Sequence, residues 1–133
     1  MDGYGKRVLI IDDDQDIRFV TGMALMDAGY NVYSACDGIE GSEEMKKRRY
    51  DVVLVDYHMP RLNGLQFIQL CRAMWPATPI ILMSGDRYLT EHFDKVDGAY
   101  TCMAKPFELS KLLTLVNQAC GEPQPIVGTA QPF

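Results

Sequence analysis

Short apolar stretches recur along the chain, and each is rich in β-branched residues. Residues 8–11, 52–55 and 80–83 are continuously apolar, which is typical of strands that are covered on both faces of a parallel sheet. Residues 32–35 and 99–103 predict two further strands. The pattern therefore predicts five strands in a sheet that lies between layers of helices.

Between these stretches the apolar residues follow the period of a helix. The first predicted helix ends at Gly29, and the last ends before Gly121. Their apolar stripes are Ile17, Val20, Thr21, Ala24, Leu25 and Ala28 in the first helix, and Leu109, Leu112, Leu113, Val116 and Ala119 or Cys120 in the last. A further helix is predicted over residues 67–75, where Pro76 ends it, and weaker patterns predict helices over residues 39–49 and 87–96. The second helix contains two favourable pairs at i, i+4 spacing, Glu43 with Lys47 and Glu44 with Arg48.

Strand and helix thus alternate five times, which determines the predicted fold. With right-handed crossovers, this alternation gives a doubly wound α/β domain with helices on both faces of the sheet. The usual arrangement for five parallel strands is flavodoxin-like, with strand order 2-1-3-4-5. We expect one domain over residues 1–120. Residues 121–133 contain three prolines and no periodicity, so they are expected to form a flexible tail or the start of a linker.

Composition narrows the class of protein. A chain of 133 residues that is 47% hydrophobic and 23% charged is typical of a globular domain with its own core. Thirteen basic and eighteen acidic residues give a net charge of -5, which argues against direct binding of nucleic acid. No apolar run approaches the ~20 residues of a membrane span, and the charged N-terminus lacks the features of a secretory signal, so we expect a cytoplasmic protein without a membrane partner.

The four cysteines do not form a recognisable pattern. No two of them form a Cys-x-x-Cys pair, because they lie far apart in the sequence, at Cys36, Cys71, Cys102 and Cys120. This spacing indicates neither a zinc site nor a disulfide framework. We therefore expect buried, reduced thiols.

Polar residues follow four of the predicted strands. The first strand runs into Asp12-Asp13-Asp14, the third into Asp56, the fourth into Ser84 and the fifth into Lys105. Ligands of doubly wound sheets bind outside the carboxyl ends of the strands, where the strand order reverses. A single Asp after a strand is most often a helix N-cap, and we expect this role for Asp14.

A group of carboxylates at neighbouring strand ends has a chemical consequence. Such carboxylates repel each other unless a cation or protons intervene. An all-oxygen site suits Mg²⁺, which shares its coordination with phosphate oxygens. Lys105 can pair with a carboxylate or with a phosphoryl oxygen, and Gly85 beside the Ser84 hydroxyl leaves room for a phosphoryl group. The sequence therefore predicts a magnesium site for phosphoryl chemistry.

Taken in chain order, these motifs resemble the receiver domain of two-component response regulators. The resemblance covers residues 6–119, nearly the whole chain apart from the tail. It rests on an apolar strand that ends in acids (8–14), a phosphoacceptor-like segment (52–60), the Asn63-Gly64 turn, and the segments 81–85 and 104–107.

The resemblance implies a role for each polar residue. Asp56 would accept a phosphoryl group from a phosphohistidine on a sensor histidine kinase or a histidine phosphotransfer protein. Ser84 would bond a phosphoryl oxygen, and Lys105 would neutralise its charge. The implied ligands of Mg²⁺, or of Mn²⁺ in its place, are the carboxylates of Asp12, Asp13 and Asp56 and the backbone carbonyl of His58. The chain would then be a signalling phosphoacceptor that can lose its own phosphoryl group with Mg²⁺, rather than an enzyme.

The resemblance also implies how a signal would leave the domain. Phosphorylation would change a surface formed by the predicted helix over 87–96, the fifth strand and the last helix, which would bind a downstream protein. The chain would be a monomer or a weak homodimer. The position that usually carries an aromatic switch residue is Cys102 here, with Tyr100 two residues earlier. Coupling through the usual aromatic residue is therefore not expected.

Three alternatives remain at this stage. Asp12-x-Asp14 also resembles the nucleophile motif of haloacid-dehalogenase-type phosphatases, in which Asp12 would attack, but Gln15-Asp16 departs from that motif. A flavodoxin would bind phosphate in its first loop, where three aspartates would repel it. A receiver-like module that binds partners without phosphorylation has the same fold, although the five polar positions argue against it.

Overall fold

The continuously apolar stretches form the centre of a parallel sheet. The computed structural model describes residues 5–86 and 99–121 of the chain. Its strands are β1 (Arg7–Ile11), β2 (Asn31–Ala35), β3 (Val52–Asp56), β4 (Ile80–Ser84) and β5 (Thr101–Ala104). They pair in the order β2-β1-β3-β4-β5, and every pair is parallel. The predicted topology is confirmed.

Helices cover both faces of this sheet. Those in the described residues are α1 (Gln15–Asp27), α2 (Gly38–Lys47), α3 (Gly64–Met74) and α4 (Leu109–Ala119). None of these helices has the length and apolar character needed to cross a membrane. The helix predicted over residues 87–96 and residues 122–133 of the predicted tail lie outside the described residues.

The core consists of two layers, one on each face of the sheet. Met45 of α2 and Phe67 of α3 pack on one face, whereas Leu25 of α1 and Leu112 of α4 pack on the other. Every residue of β3 and β4 is buried. Burial on both faces explains why these strands are apolar without alternation. The carboxyl ends of the strands all emerge at one edge of the sheet.

Three elements differ from their predicted bounds by two or more residues at one end. Helix α3 begins at Gly64, three residues before the predicted start, because Asn63 and Gln66 form a reciprocal capping box. Helix α2 ends at Lys47, since the backbone of Arg48 is extended with φ of -158°. Strand β5 begins at Thr101 rather than at residue 99.

Individual side chains also depart from the predictions. Val20 belongs to the predicted apolar stripe of α1 but is 51% exposed, because it borders a surface cleft beside Lys105. Cys36 is exposed, since it lies just beyond the end of the edge strand β2, so the prediction of buried thiols is wrong there. Lys47 pairs with Glu44 at 3.2 Å rather than with Glu43.

Gly64 provides a test of how tightly the loop after β3 is packed. A Cβ at this position would lie 2.8 Å from the Asp56 carbonyl oxygen and 2.8 Å from the Tyr57 Cα. Backbone atoms cannot move away as a side-chain end can, so we expect Gly64→Ala to lower the free energy of unfolding by about 2–3 kcal/mol. A Cβ on Gly85 would meet nothing within 4 Å. Urea unfolding should therefore show Gly85→Ala within about 0.5 kcal/mol of wild type, and equal losses would contradict the assignment.

Candidate functional site

Three carboxylates meet at the carboxyl edge of the sheet. Asp12 directly follows β1, and Asp56 is the last residue of the neighbouring strand β3. One carboxylate oxygen from each of Asp12, Asp13 and Asp56 lies within 4.8 Å of the others. Asp12 is fully buried and Asp56 is 5% exposed, whereas Asp13 is exposed. These three residues, called the acidic site below, are therefore open to solvent on the Asp13 side.

Lys105 supplies the positive charge at this edge. It follows β5, and its Nζ lies 2.8 Å from Asp12 Oδ2 and 3.2 Å from Asp56 Oδ1. The Lys105 backbone N–H donates to the Ser84 carbonyl oxygen at 2.8 Å, and the Lys105–Pro106 peptide bond is cis. Its side chain is only 20% exposed. The ammonium thus points into the acidic site, as the sequence predicts.

Burial and charge shift the pKa values of this ion pair. Burial raises the pKa of Asp56, and the negative charge of Asp12 raises it further, although Lys105 opposes both effects. Burial by itself lowers the pKa of Lys105, but its hydrogen bond and attraction to Asp12, together with Asp56, outweigh this effect and raise that pKa. The lysine therefore stays charged, while the metal-free site resists ionisation of Asp56.

Local hydrogen bonds hold the first loop in place. Asp12 Oδ1 accepts a hydrogen bond from the backbone N–H of Asp14 at 2.9 Å, and the Arg18 guanidinium donates to the Asp12 carbonyl oxygen at 2.6 Å. The Asp14 carboxylate accepts from the backbone N–H groups of Asp16 and Ile17. Asp14 is thus the N-cap of α1, as predicted, and its carboxylate serves the helix.

The remaining predicted residues lie at the same edge. Ser84, the last residue of β4, is fully buried, and its Oγ accepts a hydrogen bond from the Asp86 N–H at 2.9 Å. The space beside Gly85 is open, as the glycine led us to expect. His58 is exposed, and its ring meets the Tyr57 ring edge-on at 4.7 Å. The His58 side chain therefore lies at the surface. The backbone carbonyl of His58, rather than its ring, remains the predicted metal ligand.

An ion pair between the buried Asp37 and the exposed Arg61 was not predicted from the sequence. Asp37 is 6% exposed, caps α2 by accepting from the Glu40 N–H at 2.8 Å, and also accepts from the Arg61 guanidinium. The hydrogen bond from Glu40 lowers the pKa of Asp37, and Arg61 lowers it further against the effect of burial. The Asp37-x-x-Glu40 spacing is a readable capping signal. No pattern in the sequence indicated Arg61 as the partner of Asp37. Arg61 lies in the loop after β3 and has a left-handed φ of 70°.

The donor set of the acidic site fits a hard divalent cation. Three carboxylates and one ammonium leave a formal charge of -2, from -3 and +1, in a region where two of the acids are buried. All of these donors are oxygens, which suits Mg²⁺ and does not suit a soft metal. A buried carboxylate beside an ammonium and a divalent cation is also an arrangement that can receive a phosphoryl group.

Comparisons with known proteins agree with this geometry. The profile of the response regulator receiver domain matches residues 8–117. The response regulator MprA of Mycobacterium sp. (strain KMS) is 32% identical over 127 residues, which are 95% of this chain and 55% of that protein. The chain therefore spans about half the length of this relative.

Two solved structures show the same likeness. The chemotaxis response regulator CheY4 of Vibrio cholerae is 31% identical with a TM-score of 0.80, and the match covers 86% of this chain and 98% of that one. The receiver domain of a sensor histidine kinase from Pseudomonas aeruginosa PAO1, solved with a magnesium ion in its active-site cleft, is 26% identical with a TM-score of 0.79 over 89% of this chain and 99% of that one. The proteins matched here are response regulators and a receiver domain, and not haloacid-dehalogenase-type phosphatases or flavodoxins. The chain belongs to the response regulator receiver domain family and is a phosphoacceptor signalling domain of two-component systems rather than a conventional enzyme.

Proposed function

We propose that Asp56 is the residue that receives the phosphoryl group. A carboxylate oxygen of Asp56 attacks the phosphorus of a phosphohistidine on a sensor histidine kinase or a histidine phosphotransfer protein. A P–O bond forms, the P–N bond breaks, and the departing imidazole takes up a proton, which leaves an acyl phosphate on Asp56. Its position at a strand end, beside both an ammonium and further carboxylates, supports this assignment.

Lys105 and Ser84 have separate roles in this proposal. The Lys105 ammonium holds Asp12 and Asp56 before the transfer and then stabilises the new negative charge on the phosphoryl oxygens. The Ser84 hydroxyl donates to one of those oxygens. Both side chains come from the ends of β4 and β5, which lie next to each other in the sheet. The neighbouring positions of β4 and β5 on one side of β3 support the proposal that Ser84 and Lys105 act together on the phosphoryl group of Asp56.

The acidic site is proposed to hold Mg²⁺, or Mn²⁺ in its place. Its ligands would be the carboxylates of Asp12, Asp13 and Asp56 and the backbone carbonyl of His58. When bound, the cation neutralises negative charge on the phosphoryl oxygens. Exposure of Asp13 gives a cation access from solvent, while burial of Asp12 and Asp56 limits the number of waters that compete for it.

The observation that carries this proposal is the meeting of three carboxylates within 4.8 Å with an ammonium bonded to two of them. Its test is incubation of the chain with acetyl phosphate, with Mg²⁺ or with EDTA, followed by intact-mass measurement. We expect the mass of one phosphoryl group to be gained only with Mg²⁺. If no phosphoryl group is gained with any donor, a module that works without phosphorylation replaces this proposal.

Binding of Mg²⁺ is tested separately by replacing the exposed Asp13. At a concentration one hundred times its Kd, Mg²⁺ should stabilise the wild type by about 2.7 kcal/mol. We expect Asp13→Asn to lose most of this stabilisation, while its metal-free stability stays within about 0.5 kcal/mol of wild type. Asp14→Asn is the matched control, since asparagine also caps a helix, and it should keep the Mg²⁺ effect. Thermal unfolding with Mg²⁺ and with EDTA measures both, and an equal loss in the two variants would contradict the ligand assignment.

The output and the wider context are also proposals. A receiver domain has a histidine kinase as its partner; we propose that the phosphorylated form then presents the surface of β5 and α4 to a downstream protein. In this part of the surface Tyr100 is 47% exposed, and Cys102 is half-buried against the core. We further propose that the domain comprises residues 1–120 with a tail over 121–133, works in the cytoplasm, and is a monomer or a weak homodimer.

A further inference from the structure

Basic side chains gather at the amino edge of the sheet, opposite to the acidic site. Lys46, Lys47, Arg48 and Arg49 are consecutive at the end of α2, just before β3, and Arg7 begins β1 beside them. The Arg7 guanidinium donates to the Arg49 carbonyl oxygen at 3.2 Å, which joins the two segments. Because the whole chain carries a net charge of -5, this concentration of positive charge is a local feature.

Within the part of the chain that the structure describes, two of these cations form no ion pair. Glu44 accepts from Lys47 at 3.2 Å and from Arg48 at 2.6 Å. Arg48 also lies over the Tyr33 ring, 4.4 Å from its centroid. None of the residues in 5–86 and 99–121 forms an ion pair with the side chain of Lys46 or Arg49, and both side chains are exposed. Lys46 and Arg49 are therefore free to bind an anionic group from outside.

These two cations stand on the rim of a cleft with an apolar floor. The cleft, of about 320 Å³, lies between the ends of α2 and α3. Its floor includes the buried Met45 and Tyr50 and the half-buried Trp75. The loop after α3 that forms its far wall is held by the Arg72 guanidinium, which donates to the carbonyl oxygens of Pro76 and Thr78. We call this feature the basic cleft.

We propose that the basic cleft binds an acidic peptide segment of a partner protein that places an apolar side chain on the Trp75 floor. Carboxylates of the segment would pair with Lys46 and Arg49, and the apolar side chain would fill the recess. Met45 and Tyr50 are buried whereas the two cations are exposed, so the apolar part of the cleft fits an inserted side chain better than a flat membrane surface. Two free cations on a chain of net charge -5 make a poor footprint for nucleic acid.

This site is separate from the phosphoryl chemistry. The basic cleft lies at the amino ends of the strands, whereas Asp12 and Asp56 lie at the carboxyl ends. The segment should therefore bind the chain whether or not Asp56 carries a phosphoryl group. Such binding would attach the receiver domain to a partner and leave the acidic site open to a kinase.

Trp75 gives a direct readout, since it is the only tryptophan of the chain. The probe is a peptide rich in Asp and Glu that carries one central Leu-Phe pair and no Trp or Tyr. We expect its titration into the full chain to change Trp75 emission and saturate, and the affinity to fall at least tenfold in about 1 M salt, where the Debye length is ~3 Å. Arg49→Glu should weaken the binding at least tenfold. Lys111→Glu, an equal change of charge at an exposed position of α4, should leave it unchanged.

Other outcomes would overturn the proposal. We expect Arg49→Glu to unfold at the same temperature as the wild type, which would show that its loss of binding is not a loss of fold. Lys46→Glu provides a second variant on the same rim. The proposal fails if Arg49→Glu and Lys111→Glu bind alike, if a polyglutamate peptide without the Leu-Phe pair binds as tightly, or if no peptide changes the emission. A stronger response to phosphatidylglycerol vesicles or to oligouridylate would assign the cleft to a membrane or to RNA instead.

Discussion

Replacement of Asp56 by asparagine is expected to abolish the Mg²⁺-dependent gain of a phosphoryl group from acetyl phosphate. Asparagine keeps the shape of the side chain but presents a neutral amide, which is neither a nucleophile of comparable strength nor a charged metal ligand. Intact-mass measurement of wild type and Asp56→Asn after the same incubation gives the result directly. Equal phosphorylation of the two proteins would show that another residue is the acceptor.

The same substitution should make the metal-free protein more stable. Burial and the charge of Asp12 raise the pKa of Asp56 in the folded chain, so folding disfavours the ionised carboxylate. This destabilisation is present above the raised pKa and disappears as the pH falls through it towards the ordinary value of about 3.9. We expect Asp56→Asn to gain about 1 kcal/mol at pH 7 in EDTA, or about 3–5 °C in Tm. The gain should shrink at acidic pH, and a gain that does not depend on pH would contradict this cause.

Much of the fold follows from local patterns in the sequence. The unbroken apolar run of β3 indicates that the strand is buried on both faces of the sheet. The acid that ends the run indicates the position of the site, because parallel strands end at one edge of the sheet. The start of α3 could also have been predicted, because Asn63 and Gln66 form a capping box at the usual spacing. The exposure of Val20 could not, since it depends on where the segment after β5 crosses α1.

The acidic site shows the same division between local and tertiary information. Topology alone brings Asp12 and Asp56 together, because β1 and β3 are neighbours in the predicted strand order. The Asp37–Arg61 pair depends instead on a left-handed backbone at Arg61, a residue type that does not favour that conformation. The unpaired cations of the basic cleft likewise could not be predicted from the sequence, whose i, i+4 spacing pairs Glu43 with Lys47 and Glu44 with Arg48. Only the structure shows that Glu44 takes both.

Replacement of Lys105 by methionine should affect both phosphorylation and stability. Loss of one positive group aimed at the developing phosphoryl charge is expected to slow phosphoryl gain from acetyl phosphate about 100-fold. It also leaves Asp12, which is fully buried, and Asp56 without their cation. Removing one partner of a buried pair costs about 3–5 kcal/mol, and since Lys105 is 20% exposed we expect a smaller loss of about 2 kcal/mol. Lys111→Met on α4 should change neither quantity.

A double variant separates these two effects of Lys105. In Lys105→Met with Asp56→Asn, one of the two unpaired carboxylates is gone, so about 1 kcal/mol of the lost stability should return relative to the sum of the single variants. Phosphorylation should not return, because the acceptor carboxylate is absent. Urea unfolding of the four proteins in EDTA measures the coupling, and strictly additive changes would show that the 3.2 Å contact between Lys105 and Asp56 contributes nothing to stability. Because the buried Asp12 still lacks its partner in the double variant, recovery to the full stability of Asp56→Asn is not expected.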